Sequence, residues 1–288
     1  MNPIVSGFYA DPEARFYDGR YYIYVTKSFT KYTDQMNIDA FSSSDLIHWE
    51  KHENIIDMSG FPYIYRAVWA PTIIEKHGKY YLIFASNDIQ SDEETGGLEI
   101  AVSDSPAGPF KSYLGKPLVD KFINSAQPID AHLFKDDDDT VYLYYGGWHH
   151  CNVCVMNKEM NGFVPFSDGS FFKEITPENY TEGPCMLKRN GVYHFMWSEG
   201  NWTNGTYHIC ASKSTNPLEI NPEGKVILES SEIANGPGHH GYINIEGTDE
   251  WLIVYHRRII GDKEPGHRIL CIDKLRFEGD EILQVEMT

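Results

Sequence analysis

The sequence predicts an all-β protein, a five-bladed β-propeller, on three observations. A strand–turn–strand pattern rich in aromatic and β-branched residues recurs five times. Its turns fall at Gly19, Gly78, Asp138, Gly191 and about Asp249, separated by 59, 60, 53 and 58 residues. No long window carries apolar residues at the i, i+3, i+4, i+7 spacing of a helix without Gly or Pro breaking it. A strand-only repeat of this length reads as propeller blades or a β-array rather than a helical solenoid.

The first hairpin, residues 11–24, turns at Gly19, and a second strand pair follows over 38–50. The second, 70–84, turns at Gly78 and leads to strand 98–103 and the segment 106–110. The third, 130–145, turns through the acidic run at 136–139; strand 153–156 follows clearly, its successor less so. The fourth, 182–197, turns at Asn190-Gly191 before strand 207–212 and an Asn216-Pro217 turn. The fifth, 240–255, precedes strand 268–273, residues 275–277 and a closing strand near 282–285. Gly, Asp and Asn at the turns supply the backbone that tight hairpins need. Five units over nearly the whole length make residues 1–288 one domain with a substantial core. The longer loops at 57–66 and 88–97 read as rims around a pocket.

A formal charge of −18 argues against nucleic acid or an anionic membrane surface as partner, since both call for basic patches. No stretch approaches the roughly 18 apolar residues of a membrane span. The N-terminus shows no charged region ahead of an apolar run, and the five cysteines form no paired framework. Both point to a cytoplasmic protein. Aromatics reach 14%, with 19 Tyr and 6 Trp, which suits sugar stacking as well as sheet packing.

Aligned on the turns, Asp11, Asp130 and His239 lie 8 residues before Gly19, Asp138 and Gly247. Trp69 and Glu182 lie 9 before Gly78 and Gly191. Equivalent blades would gather these five side chains at one mouth of the central channel. A single acid at a strand start reads as a turn cap, and a single Trp as packing. Three acids in register, with a Trp and a His, read as a site. The acidic run at 136–139 is a solvated turn, lacking the Gly and distal Glu of an EF-hand. His149-His150-Cys151-Asn152-Val153-Cys154 lacks a second ligand pair for zinc, and its residues alternate between faces, so it reads as packing. Converging carboxylates suit glycoside hydrolysis, which needs a protonated acid at the leaving oxygen and an ionised carboxylate opposite. Burial and a like charge nearby would keep the acid protonated.

Over essentially its full length the chain resembles glycoside hydrolase family 43, five-bladed propellers acting on arabinose- and xylose-containing glycans. The resemblance rests on Tyr9-Ala10-Asp11-Pro12-Glu13, Trp69-Ala70-Pro71, Pro128-Ile129-Asp130-Ala131, Thr181-Glu182-Gly183-Pro184 and Gly238-His239-His240. It implies Asp11 as general base, Glu182 as general acid and Asp130 as the residue that orients the acid and tunes its pKa. It implies inversion, with the two working carboxyls roughly 6.5–9.5 Å apart. Trp69 and Arg268 match sugar-contacting positions, and His240 and Trp148 are counted with them. His239 matches the ligand of a central Ca²⁺ otherwise held by water, with no organic cofactor. Many xylosidases of the family carry an added C-terminal sandwich. Its lack tilts the expectation toward an exo-acting α-L-arabinofuranosidase on pentose-containing oligosaccharides.

The alternatives are a β-D-xylosidase or a bifunctional enzyme of the same family. A phosphorylase on the same architecture would draw on Arg257, Arg258, Arg268 and His256 for phosphate, but the motifs match it poorly. A non-catalytic carbohydrate-binding propeller would have no use for three buried acids. Oligomeric state stays open.

Overall fold

Left-handed residue pairs close the hairpins that the sequence marks. In the computed structural model, which describes residues 2–288, Asp18-Gly19, His77-Gly78 and Asn190-Gly191 all have positive φ. This is the sign pattern of a type I′ turn, whose twist matches the strands it joins. Each turn joins the two inner strands of a blade.

Blade one comprises β1 (Tyr9–Tyr17), β2 (Arg20–Lys27), β3 (Ile38–Ser43) and β4 (Glu50–His52), side by side in that order. Blade two repeats it with β5 (Trp69–Lys76), β6 (Lys79–Ser86), β7 (Gly97–Ser103) and β8 (Lys111–Ser112). Blade three has β9 (His132–Lys135), β10 (Val141–Tyr145) and β11 (Asn152–Met156). Two short pieces, β12 (Phe163–Val164) and β13 (Lys173–Glu174), share the outer edge of β11, which is why no single fourth strand is legible there. Blade four has β14 (Tyr180–Arg189), β15 (Val192–Glu199), β16 (His208–Ser214) and β17 (Lys225–Leu228). Blade five has three strands, β18 (Asn235–Asn244), β19 (Trp251–Arg258) and β20 (Arg268–Leu275). The protein is thus a five-bladed β-propeller. Helix is confined, among the described residues, to single turns at Tyr32–Asp34 and Met58–Gly60.

Alternating apolar residues give each sheet two buried faces, and the core is divided into clusters between successive blades. Tyr24 and Ile38 meet Leu82 and Phe84 between blades one and two; Ile83 and Leu98 meet Leu133 and Leu143 between two and three. Tyr144 and Val153 meet Phe195 and Trp197, and Leu187 and Met196 meet Ile253 and Tyr255. Ile23 and Val25 meet Val254 and Leu270, closing the ring. Closure is reinforced by the N-terminal segment along the edge of β20. Ile4 N–H donates to the Leu270 carbonyl at 3.0 Å, and the Asn2 amide brackets Ile272 at 2.9 and 3.0 Å. An otherwise open sheet edge is thereby paired.

Two expectations need correction. The last residues do not close blade five. β21 (Phe277–Glu278) and β22 (Glu281–Ile282) form a separate ribbon, and Val285 N–H bonds the Ile227 carbonyl of β17 at 2.7 Å. The loop at 57–66 is no pocket rim, because Phe61 and Ile64 are drawn into the core between blades one and two. The loop at 88–97 does reach the pocket, through Asp88.

Every inner strand begins with the same irregularity. Asp11, Ala70, Asp130, Gly183 and His239 have φ of 51°, 46°, 56°, 66° and 36°. The strand register breaks around four of them, between Ala10 and Glu13, Trp69 and Thr72, Glu182 and Cys185, and Gly238 and His240. A bulge of this kind re-aims side chains at a sheet's rim. It also fixes which residues are equivalent. The equivalents of Asp11, Asp130 and His239 in the other blades are Ala70 and Gly183, so Trp69 and Glu182 stand one residue ahead of the bulge, in keeping with their count of 9 rather than 8 from the turn.

Beneath this layer the channel is filled by polar groups. Glu13 accepts from Thr72 Oγ1 at 2.8 Å, meets His132 Nδ1 at 3.0 Å and pairs closely with Arg15. Arg15 also donates to the carbonyls of Ile73 and Leu133. Burial works against ionised Glu13, but Arg15 and His132 hold its pKa below the usual value. These contacts tie blades one, two and three together under the channel mouth.

Candidate active site

The bulges turn Asp11, Asp130 and His239 into one pocket of about 250 Å³, which Glu182, Trp69, Trp148 and Arg268 also line. Seven of the eight side chains expected at the site are therefore together. The exception is His240. It is 3% exposed, does not line the pocket, and both its ring nitrogens lack a hydrogen-bond partner. The left-handed turn at His239 spends one residue on the bulge, so the next side chain leaves the pocket.

His239 is the centre of the charge arrangement. Its Nδ1 lies 3.5 Å from Asp11 Oδ1 and 3.3 Å from Asp130 Oδ2. Burial would lower its pKa, but the two carboxylates outweigh it and raise the imidazole to about 9. At neutral pH it is a cation bridging two anions. Its backbone N–H donates to Ser198 Oγ at 2.9 Å. Gly183 approaches so closely that an added Cβ would stand 3.2 Å from the His239 ring, besides needing its φ of 66°.

Asp11 is held ionised. Burial opposes this, yet Arg268 and then His239 bring its pKa down to about 2. Arg268 Nη1 donates to Asp11 Oδ1 at 3.1 Å and its Nε to Ser28 Oγ at 2.9 Å, while its guanidinium stands 5.0 Å from the Trp202 ring. Asp11 N–H donates to His256 Nδ1 at 3.2 Å. That contact needs a lone pair on Nδ1, in keeping with burial driving the His256 pKa well below its usual value.

Glu182 is held protonated. Burial and then the Asp130 charge raise its pKa to about 7, against the hydroxyl of Tyr207, which donates to Glu182 Oε1 at 2.8 Å. The same pocket thus contains one carboxyl kept neutral and one kept charged, the pairing that acid–base cleavage of an acetal requires. Removing the tyrosine hydroxyl takes away an interaction that favours the ionised acid. Tyr207→Phe should therefore move the alkaline limb of the kcat/KM profile to higher pH; an unmoved limb would dissociate Glu182 from it.

Aromatic rings border the pocket. Trp69 donates through Nε1 to Gln35 and takes the edge of Tyr32 at 4.7 Å between centroids. Trp148, 47% exposed, packs against Phe122 at 4.8 Å. Such rings offer flat apolar faces for the C–H sides of a sugar. Asp88, Gln127 and Trp202 complete the wall and, with Tyr207, were not found from sequence. Tyr207 has no counterpart in the repeat. Its signal is indirect, in that Gly238 leaves room for its ring and an added Cβ would stand 1.9 Å from it.

The residues fit a cation unevenly. His239 Nδ1 faces the carboxylates of Asp11 and Asp130, which leaves its Nε2 as the nitrogen that could take a metal. His240 offers nitrogen ligands as well, away from the pocket. Burial, with His239 and His132 nearby, lowers its pKa to about 3 and keeps it neutral, with no partner on either nitrogen. The sequence His149-His150-Cys151 forms no ligand set. His149 Nδ1 bonds the Tyr180 carbonyl, His150 Nδ1 meets Glu174, and Cys151 is buried in the core.

The model of the family described as glycosyl hydrolases family 43 matches residues 1–283. A β-D-galactofuranosidase of Aspergillus niger is 38% identical, spanning all of this chain and 85% of that protein. A β-xylosidase of Xylanibacter ruminicola is 26% identical over 96% of this chain and 95% of its own length. Among solved structures, an α-L-arabinofuranosidase of Clostridium thermocellum superposes with a TM-score of 0.78 at 29% identity, over 97% of this chain and 94% of that one. A thermostable family-43 glycoside hydrolase gives a TM-score of 0.82 at 25% identity, over 100% and 96%.

Proposed function

The chain belongs to glycosyl hydrolases family 43, and from that premise we propose that it releases terminal α-L-arabinofuranosyl groups from arabinoxylan- or arabinan-derived oligosaccharides, with inversion. The observation that carries the mechanism is the opposed ionisation of Glu182 and Asp11 in one pocket. Glu182 gives its proton to the leaving oxygen as the C1–O bond breaks. Asp11 takes a proton from the water whose oxygen forms the new bond to C1 on the opposite face. Each turnover leaves Glu182 ionised and Asp11 protonated, and exchange with solvent restores both. Asp130 acts without touching the reacting atoms: its charge keeps Glu182 protonated and, through His239, fixes Asp11. Arg268 and the Trp69 ring hold the sugar. A calcium ion, which the resemblance implies, would be held by His239 through Nε2 with water, and its charge would favour the nearby carboxylates; no step above is routed through it.

A second reading is favoured by the galactofuranosidase relative. The β-D-galactofuranosyl ring has the stereochemistry of α-L-arabinofuranosyl, with one more carbinol on its exocyclic chain. A pocket for one can therefore serve the other, depending on the room beyond C4. A β-D-xyloside presents a six-membered ring instead. Initial rates on matched nitrophenyl α-L-arabinofuranoside, β-D-galactofuranoside and β-D-xyloside decide among them. The arabinoside is expected to turn over fastest. Preference for the galactofuranoside or the xyloside would keep the chemistry and overturn the sugar assignment.

A further inference from the structure

On the other face of blade four, β15 and β16 bring together an oxygen, a nitrogen and a sulfur donor. Antiparallel register sets Glu199 opposite His208 and Trp197 opposite Cys210. One ligand atom from each of Glu199, His208 and Cys210 lies within 4.8 Å of the others. His208 Nε2 and Glu199 Oε2 are 3.4 Å apart. That is the edge expected of a tetrahedron with zinc–ligand bonds of about 2.0–2.1 Å, where neighbouring donors stand about 3.4 Å apart.

The surroundings of these atoms support ligation. Trp197 Nε1–H donates to Glu199 Oε1 at 2.9 Å, leaving Oε2 turned toward the histidine. His208 Nδ1 lies 2.8 Å from the Thr206 carbonyl, which can only accept, so Nδ1 carries the proton. In the neutral ring the Nε2 lone pair then faces a carboxylate oxygen, an opposition that a proton or a metal cation between them relieves. A proton would make an ordinary ion pair. The buried sulfur of Cys210 at the same point favours a metal. Backbone carbonyls and indole N–H groups that orient ligands in this way are the outer shell of protein metal sites. A thiolate and a carboxylate would also neutralise a divalent ion, and with side chains of Glu199 and His208 14% and 25% exposed, an ion can enter.

We propose that Glu199, His208 and Cys210 form a three-ligand site for a thiophilic divalent cation of the zinc class, set directly behind the catalytic acid, with water as fourth ligand. The site is linked to turnover through the two strands that carry it. Ser198, beside Glu199, accepts the His239 N–H, and Tyr207, beside His208, donates to Glu182. Drawing Glu199 and His208 onto a metal shifts both neighbours and lowers activity.

The test uses the whole protein, kept reduced with a phosphine, titrated with Co²⁺ as a spectroscopic stand-in and then with Zn²⁺. One equivalent of Co²⁺ should develop a thiolate charge-transfer band that Zn²⁺ displaces. Cys210→Ser should lose the band, and His208→Gln, at a partly exposed position, should bind at least roughly tenfold more weakly. Zn²⁺ should inhibit hydrolysis by the wild type and spare both variants. Absence of the band, or a band unchanged in Cys210→Ser with wild-type circular dichroism, overturns the site. Equal zinc inhibition of wild type and both variants overturns its link to turnover.

Discussion

Glu182→Gln should lose roughly 10²–10⁴-fold in turnover of an oligosaccharide, the range expected for removal of a general acid. On a dinitrophenyl glycoside, whose leaving group needs no proton, the loss should be far smaller. The wild-type kcat/KM should fall as pH rises through about 7, where the half-buried acid ionises, and this limb should vanish in the variant. Stability carries the same signature. The folded-state pKa lies above the ordinary glutamate value, so wild-type stability is lost as pH rises through that window. Glu182→Gln has no proton to lose there, so thermal unfolding at pH 8 should show it melting no lower than the wild type. Equal losses on both classes of substrate, or an unchanged alkaline limb, would remove Glu182 from the role of acid.

Asp11→Asn should lose a comparable 10²–10⁴-fold, but on both leaving groups alike, because water must be activated whichever group departs. Its pKa of about 2 puts the acidic limb of the wild-type profile far below the alkaline one, giving a broad plateau. Here the sign of the stability effect is opposite. The depressed pKa contributes stability above the ordinary aspartate range, and this is lost as pH falls through about 2. Asparagine forfeits that contribution and leaves Arg268, 9% exposed, without its anion, a loss of about 3–5 kcal/mol for a broken buried pair. A melting temperature well below wild type at neutral pH is expected, checked by calorimetry alongside the kinetics. Retained activity on the oligosaccharide would exclude Asp11 as base. The anomer first released, read by proton NMR, tests inversion independently.

Much of this is legible in the sequence. Turn residues at near-regular spacing give the number of blades, because a type I′ hairpin leaves a local mark: Asp-Gly, His-Gly or Asn-Gly between aromatic runs. Counting back from those turns finds Asp11, Asp130 and His239 in register. The same count brings out Trp69 and Glu182 for a different reason. They precede the bulge residues Ala70 and Gly183 by one, and reach the pocket because the bulge opens both positions toward the channel. His240 leaves the pocket on the same account. Two adjacent histidines look alike in sequence, and only the left-handed φ of His239 sends one ring to the carboxylates and the other into a buried space.

The sequence by itself determined the repeat, the hairpins and the residues that could do acid–base chemistry, since each is written in local periodicity and in residue type. Tertiary structure alone decided how those residues differ in charge. Asp11 is a buried carboxyl and Glu182 a half-buried one, both at inner-strand starts. One is ionised because Arg268, 257 residues away along the chain, donates to it. The other is protonated because Asp130, from a neighbouring blade, stands near it. Closure of the ring by the N-terminal segment, the docking of the last residues on blade four, and the Tyr207 hydroxyl on Glu182 are likewise contacts between distant parts of the chain. No local pattern encodes them, because their energy depends on burial and on distances set only when five blades meet.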